Sequence, residues 1–282
     1  MSKFILNAFS DEAGKPLKEQ IKALKDNVYH GMEIRGIDNA FVGALTVERA
    51  KEIKKEMDDA GLKVWSIGSA IGKIRIQDDF EAHMDLYKHS LELAAIFDAK
   101  AFRLFSFFMP KEEDPYQYEN QVIEQMARFC EVGKDYNITL CHENEKGIFG
   151  DVADRCLKIH KALPELKGVF DPANFVQCQQ DTLEAWEMLH PYIEYMHMKD
   201  ALMDGTVVPV GYGAGNVGTL IKKYYAGGGR VLTLEPHLRV FAGMQELEKD
   251  FEEKNIGSMS YPSARAAFDA AVSALNKLIE EV

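Results

Sequence analysis

The sequence predicts an α/β chain folded as a (β/α)8 TIM barrel, a closed parallel eight-stranded barrel inside a ring of outer helices. Three observations carry this. Short β-rich runs alternate with amphipathic helical patterns along the chain, which argues for a parallel sheet. Eight such units fit into 282 residues at about 35 residues each, and eight favours a closed barrel over an open doubly wound sheet. No GxGxxG follows the first apolar run and no GxxxxGK(S/T) occurs, which lowers the dinucleotide-fold and P-loop readings.

The expected strands are Lys3–Ala8, Gly31–Arg35, Lys63–Gly68, Ala99–Phe105, Ile138–His142, Lys167–Phe170, Tyr192–His197 and Arg230–Leu234. They are rich in apolar, β-branched and aromatic residues. Several are nearly continuous apolar runs, as strands buried on both faces require. Helices are expected between them. Pro16–Asn27 carries Leu17, Ile21 and Leu24 at helical spacing, and Thr46–Ala60 ends before Gly61, a C-terminal stop signal. Phe80–Phe97 repeats apolar residues at Met84, Tyr87, Leu91 and Ala94, one helical face. Tyr116–Tyr136, Val152–Leu163, Thr182–Leu189 and Val217–Tyr225 follow, and Ser263–Glu281 closes the chain.

Length alone suits about two domains, yet α/β barrels commonly reach about 250 residues as one unit. No Pro/Gly/Ser linker divides the chain, so residues 1–282 are expected to form a single domain. The irregular stretch Val240–Pro262 holds a charged run and then GSMSYPS. Loops of that length are often functional, and a lid or an interface is open to this one.

Lys plus Arg total 33 against 45 Asp plus Glu, a net charge of −12. That balance argues against long contacts with a phosphate backbone and for a soluble protein acting on small molecules. Cys130, Cys141, Cys156 and Cys178 show no CxxC spacing, which suits reduced thiols in a reducing compartment. The N-terminus lacks a signal-peptide pattern, and no run of about 18 apolar residues offers a membrane span. The expectation is a cytoplasmic protein with no nucleic-acid or membrane partner, open to homo-oligomer formation.

Barrel chemistry sits at the C-terminal ends of the strands. The last four strand ends bring Glu143, Asp171, His197 and Glu235, separated by 28, 26 and 38 residues. Singly, each would cap a strand or pair with a nearby Lys or Arg. Together, three carboxylates repelling one another in a low-dielectric mouth need a cation. Mixed oxygen and imidazole donors suit one divalent metal ion, with Mn²⁺ placed first and Co²⁺, Mg²⁺ or Zn²⁺ open. His142 alternates to the other side of its strand, so it packs or supports a ligand from behind. Glu145 shares the parity of Glu143. GYGAG, with Gly211, Gly213 and Gly215, follows the seventh strand, where barrels often bind phosphate, but the signal is weak alone and a plain turn is the preferred reading.

CHENEKGIFGD, VFDPANF, EYMHMKDA and LTLEPHL resemble the last four strands of the xylose-isomerase-like TIM barrels, the superfamily of sugar and sugar-phosphate isomerases and epimerases, inosose dehydratase and endonuclease IV. The resemblance runs nearly the whole chain in unit order. It matches Glu143, Asp171, His197 and Glu235 to the family's single-metal ligand set. It implies an isomerase or epimerase of carbohydrate metabolism, acting on a sugar, sugar phosphate or related polyol. The reaction implied is proton abstraction next to a metal-bound carbonyl, through an enediolate. Glu143 and Glu235 would take and return the proton. Arg35, Lys199 and His237 would contact sugar oxygens, and Asn174 would orient a ligand. A lyase or dehydratase on the same scaffold, inosose-dehydratase-like or glycoside-cleaving, is the alternative, and a non-catalytic sugar-binding barrel is another. An endonuclease IV-like phosphodiesterase fits less well. That resemblance implies extra histidines for three zinc ions, and Asn174 stands where one of them would be.

Overall fold

The computed structural model describes residues 3–239 and 261–282. Eight parallel strands close into a barrel, each paired with its neighbour in sequence and the last with the first. They are β1 (Ile5–Ala8), β2 (Gly31–Ile34), β3 (Lys63–Ile67), β4 (Ala101–Leu104), β5 (Thr139–Glu143), β6 (Lys167–Phe170), β7 (Ile193–Met198) and β8 (Val231–Leu234). Closure is direct, with β1 in register on β8 from Ile5 opposite Val231 to Ala8 opposite Leu234. All eight fall inside or within a residue of the expected runs. The runs were apolar because the strands are buried on both sides.

The two sides of the barrel differ. Outward-facing residues such as Met32, Ile34, Phe102, Leu140, Phe170, Met196 and Leu232 join the helices in one large core. Inside the barrel, Ala101, Cys141, Val169 and Tyr195 form a separate small plug, with Trp65 and Val231 packed against it. This plug is the floor beneath the C-terminal mouth.

The ring of helices is α1 (Leu17–Asp26), α2 (Val47–Asp59), α3 (Phe80–Phe97), α4 (Glu119–Gly133), α5 (Ala153–Ala162), α6 (Pro172–Gln177), α7 (Thr182–Leu189), α8 (Val217–Ala226) and α9 (Ala264–Glu280). Side chains fix several starts. Thr46 Oγ1 accepts from the Arg49 amide, Asp79 from Glu81 and Ala82, and Ser263 from Ala266. Gly61, at φ +74°, stands just past α2 as expected. α4 begins later than the pattern suggested. Asp114 caps a 3₁₀ turn at Pro115–Tyr118 before the α-helix starts at Glu119. The short α6 was not expected, because six residues are too few to show a helical period. The cysteines are all free, as expected. No helix among the described residues is long and apolar enough to cross a membrane. Most of the Val240–Pro262 stretch lies outside the described residues.

Candidate metal centre

Strand alternation builds the site. Residues two apart on a strand share a face. Cys141, Val169 and Tyr195 fill the plug, so Glu143, Asp171 and His197 project one layer above it into the mouth. On β8, Val231 packs on the plug and Thr233 is in register with His197, so Glu235 follows at the rim of the same face. Four adjacent strands thus aim four polar side chains at one point. All four residues are buried, His197 and Asp171 completely.

One donor atom from each of Glu143, Asp171, His197 and Glu235 lies within 4.8 Å of the others. Donors at about 2.2 Å from a single ion can span up to about 4.4 Å, so a slight contraction would close the set on an ion. His197 Nδ1 stands 2.9 Å from Glu143 Oε1, 3.1 Å from Glu235 Oε2 and 3.9 Å from Asp171 Oδ2. A lone pair cannot face three carboxylates in a dry site unless a proton or a cation lies between them. The titration directions agree. Burial works against charge on His197, but Glu143 and Glu33 outweigh it and hold the imidazole well above its ordinary pKa. Burial, then repulsion from Glu235 and Glu143, raises the Asp171 carboxyl to about 7, against the pull of Lys199 and His197. Asp171 Oδ2 takes the Lys199 ammonium at 2.9 Å but out of hydrogen-bond alignment. The cluster is short of positive charge, and its donors fit a divalent ion.

Buried cations hold the carboxylates in place. Arg103 Nη1 donates to Glu143 Oε2 at 3.0 Å. Arg35 is gripped by Asp11 at 2.9 Å and Glu12 at 3.1 Å, and reaches Glu235 Oε1 at 3.5 Å. The Phe9 ring lies against both arginines, with the guanidinium carbons 4.5 and 5.1 Å from its centroid, and packs nearly perpendicular to the His197 ring. Glu12, buried between these groups, is raised to about 8, by burial above all.

The residues expected from sequence separate into those inside this network and those outside it. Lys199 joins it, 2.9 Å from Asp171 and 3.3 Å from Glu235. His237 Nδ1 lies 3.4 Å from Glu235 Oε1, and burial depresses its pKa far enough to keep it neutral. Asn174 donates to the Asn144 carbonyl at 2.9 Å and reaches Glu143 Oε1 at 3.5 Å, while its amide caps onto Asp171 Oδ1. The Arg35 guanidinium is buried against three carboxylates, those of Asp11, Glu12 and Glu235. His142 takes the packed one of its two expected places. Alternation turns it outward, where it hydrogen-bonds Ser106 at 3.0 Å and packs on His160 of α5, away from the four donors. Glu145 pairs with Lys73 at 2.8 Å instead of joining the cluster.

Two contributors, Arg103 and Glu33, stand among the polar strand-end residues of the sequence but had no role expected of them. Glu33 Oε2 lies 3.2 Å from His197 Nε2, and Tyr195 donates to Glu33 Oε1 at 2.9 Å. Their only signal was parity at the ends of β2 and β4. The GYGAG segment proves to be a turn. Asp200 accepts from the amides of Gly211, Gly213 and Gly215 and from Ala201, at 2.9 to 3.0 Å, so those amides are already occupied.

The sequence profile described as "Xylose isomerase-like TIM barrel" matches residues 21–251, most of the chain. The chain belongs to this family. Solved structures share its fold at low identity. One titled L-ribulose 3-epimerase superposes with a TM-score of 0.75 at 16% identity, covering 100% of this chain and 95% of that one. The IOLI protein with a bound zinc atom gives 0.73 at 13%, covering 99% and 98%. A probable 3-DHS dehydratase, AsbF, from Bacillus anthracis gives 0.72 at 15%, covering 98% and 99%. No curated protein sequence matches closely enough to count as a relative. Within the xylose isomerase-like family, then, this chain combines a closed barrel with a buried carboxylate and histidine cluster at the mouth.

Proposed function

We propose that this protein is a divalent-metal-dependent isomerase or epimerase acting on a sugar, sugar phosphate or related polyol. The observation that carries the reading is the convergence of Glu143, Asp171, His197 and Glu235, with donor atoms within 4.8 Å, at the mouth of the barrel. Epimerases among the fold relatives support it. A cation bound there, with Mn²⁺ the first choice, would polarise a carbonyl and its neighbouring hydroxyl and acidify the C–H between them.

The chain's own residues do the rest. Glu143 and Glu235, from β5 and β8, approach the substrate carbon from different sides and exchange its proton through their carboxylate oxygens. Removal on one face and return on the other inverts the centre. Arg103 keeps Glu143 aimed, and Arg35 does the same for Glu235. Burial of the whole set strengthens each of these contacts by excluding water. Lys199 and His237, beside Glu235, contact the sugar oxygens, and Asn174 steadies Glu143. The free cysteines and acidic balance support a cytoplasmic setting with a small carbohydrate as partner.

A specific observation favours a second reading. Lys199 is an ammonium beside Asp171 and Glu235, and such a group can protonate a departing hydroxyl, as a dehydratase requires. The test is a metal-replete screen of ketoses, their phosphates and inososes in deuterium oxide. Deuterium entering the substrate without loss of water is the expected result. Loss of water would establish the lyase, and sugar binding without exchange would leave only a binding barrel.

A further inference from the structure

We infer that Glu33 is a positioning residue, holding His197 in the tautomer that presents Nδ1 to the metal. The inference rests on the metal centre proposed above and extends it to a residue outside the four donors. An imidazole with two different nitrogens must have one of them chosen as ligand, and a hydrogen bond to the other makes that choice.

Two strands build the device. Glu33 lies on β2, Tyr195 and His197 lie on β7, and the side chains of Glu33 and His197 are fully buried. Glu33 Oε2 faces His197 Nε2 at 3.2 Å, on the side of the ring opposite the cluster. Nδ1 on the other edge meets Glu143 and Glu235 at 2.9 and 3.1 Å. A carboxylate is acceptor only, so Glu33 requires a proton on Nε2, and a cation in the cluster would then take the place of the Nδ1 proton that Glu143 and Glu235 otherwise demand. Glu33 is itself fixed, because the Tyr195 hydroxyl donates to its Oε1 at 2.9 Å. The Phe9 ring contacts His197 at a centroid distance of 5.2 Å, which limits the ring's freedom to rotate. Glu33 therefore sets both the orientation and the basicity of a ligand without itself joining the four donors.

The experiment uses the full chain loaded with Zn²⁺, with ¹⁵N-labelled histidine read by long-range ¹H–¹⁵N correlation and zinc affinity read by competition with a chromophoric chelator. In the parent protein, His197 should show a metal-bound Nδ1 and a protonated, strongly hydrogen-bonded Nε2. Glu33→Met fills the space without a comparable acceptor. It should lose that Nε2–H signature and about 10- to 100-fold in zinc affinity. Glu33→Gln keeps a neutral acceptor and should recover part of both. A folded Glu33→Met protein with parental affinity and tautomer overturns the inference. If that variant does not fold, a Glu33→Gln protein with unchanged affinity and an unchanged Nε2–H signal overturns it instead. Failure of the parent to bind zinc, or zinc binding retained in His197→Ala, brings down the metal centre itself, a result distinct from a failure of Glu33 alone.

Discussion

At the scale of single residues, the site is a problem of charge placed where water cannot reach. Glu143, Asp171 and Glu235 crowd one imidazole nitrogen, and that crowding calls for a proton or a metal ion between them, the second being the proposed case. Glu143→Gln should therefore lower turnover by about 10²- to 10⁴-fold, the usual worth of a positioned acid–base group. It should weaken metal binding in the same protein, which a kinetic assay and a metal titration will both show. His197→Ala should reduce the metal content measured by elemental analysis. A residue outside the site offers a pH test. Burial pushes the His160 pKa down to about 4, so the folded protein disfavours the proton that the unfolded chain takes up below about 6.5. Stability should fall as pH drops from about 6.5 to 4, by up to about 3 kcal/mol from this group. His160→Gln should flatten that acid limb in urea titrations. The four donors were legible in the sequence because each ends a strand and they recur at roughly one βα unit. Glu33 and Arg103 end strands too, but their partners lie 164 and 40 positions away and nothing in the sequence ties them to the cluster.

Elements show why some expectations held and others moved. Strand runs were plain because both faces of each strand are buried. His142 was expected to pack or to stand behind a ligand, and the alternation of β5 turns it to the helix layer. α4 starts late because Asp114 and Pro115 together stabilise a tight 3₁₀ turn, a local effect that an apolar period does not report. The glycine segment after β7 is the plain turn that its sequence favoured, and Asp200 gathers its amides. Its glycines have a steric reason: a side-chain carbon on Gly213 would stand 2.3 Å from Asp200 Oδ1 and 2.5 Å from the Ala201 carbonyl. Gly213→Ala should cost about 1–3 kcal/mol through overpacking. Asp200→Ala should cost at least about 2 kcal/mol, because several backbone donors lose their acceptor at once. Chemical denaturation of both variants checks this.

For the whole molecule, the side-by-side pairing of β5 to β8 in a curved barrel wall is what makes a site from residues 92 positions apart, Glu143 to Glu235. Eight repeated units account for the length of the chain, and the register of β1 on β8 shows how the ring shuts. The unfolded chain has no such cluster, so an ion that binds it must stabilise the fold. At 100 times its dissociation constant the gain is about 2.7 kcal/mol. The melting temperature should rise with added Mn²⁺ or Zn²⁺ in the parent protein and stay unchanged in His197→Ala. Proton exchange at a carbon activated by a bound metal is read by solvent deuterium incorporation into a ketose by metal-replete protein. Incorporation should stop on chelation, return with metal and be lost in Glu143→Gln. Incorporation at full rate in protein shown to be metal-free would contradict metal activation of that carbon.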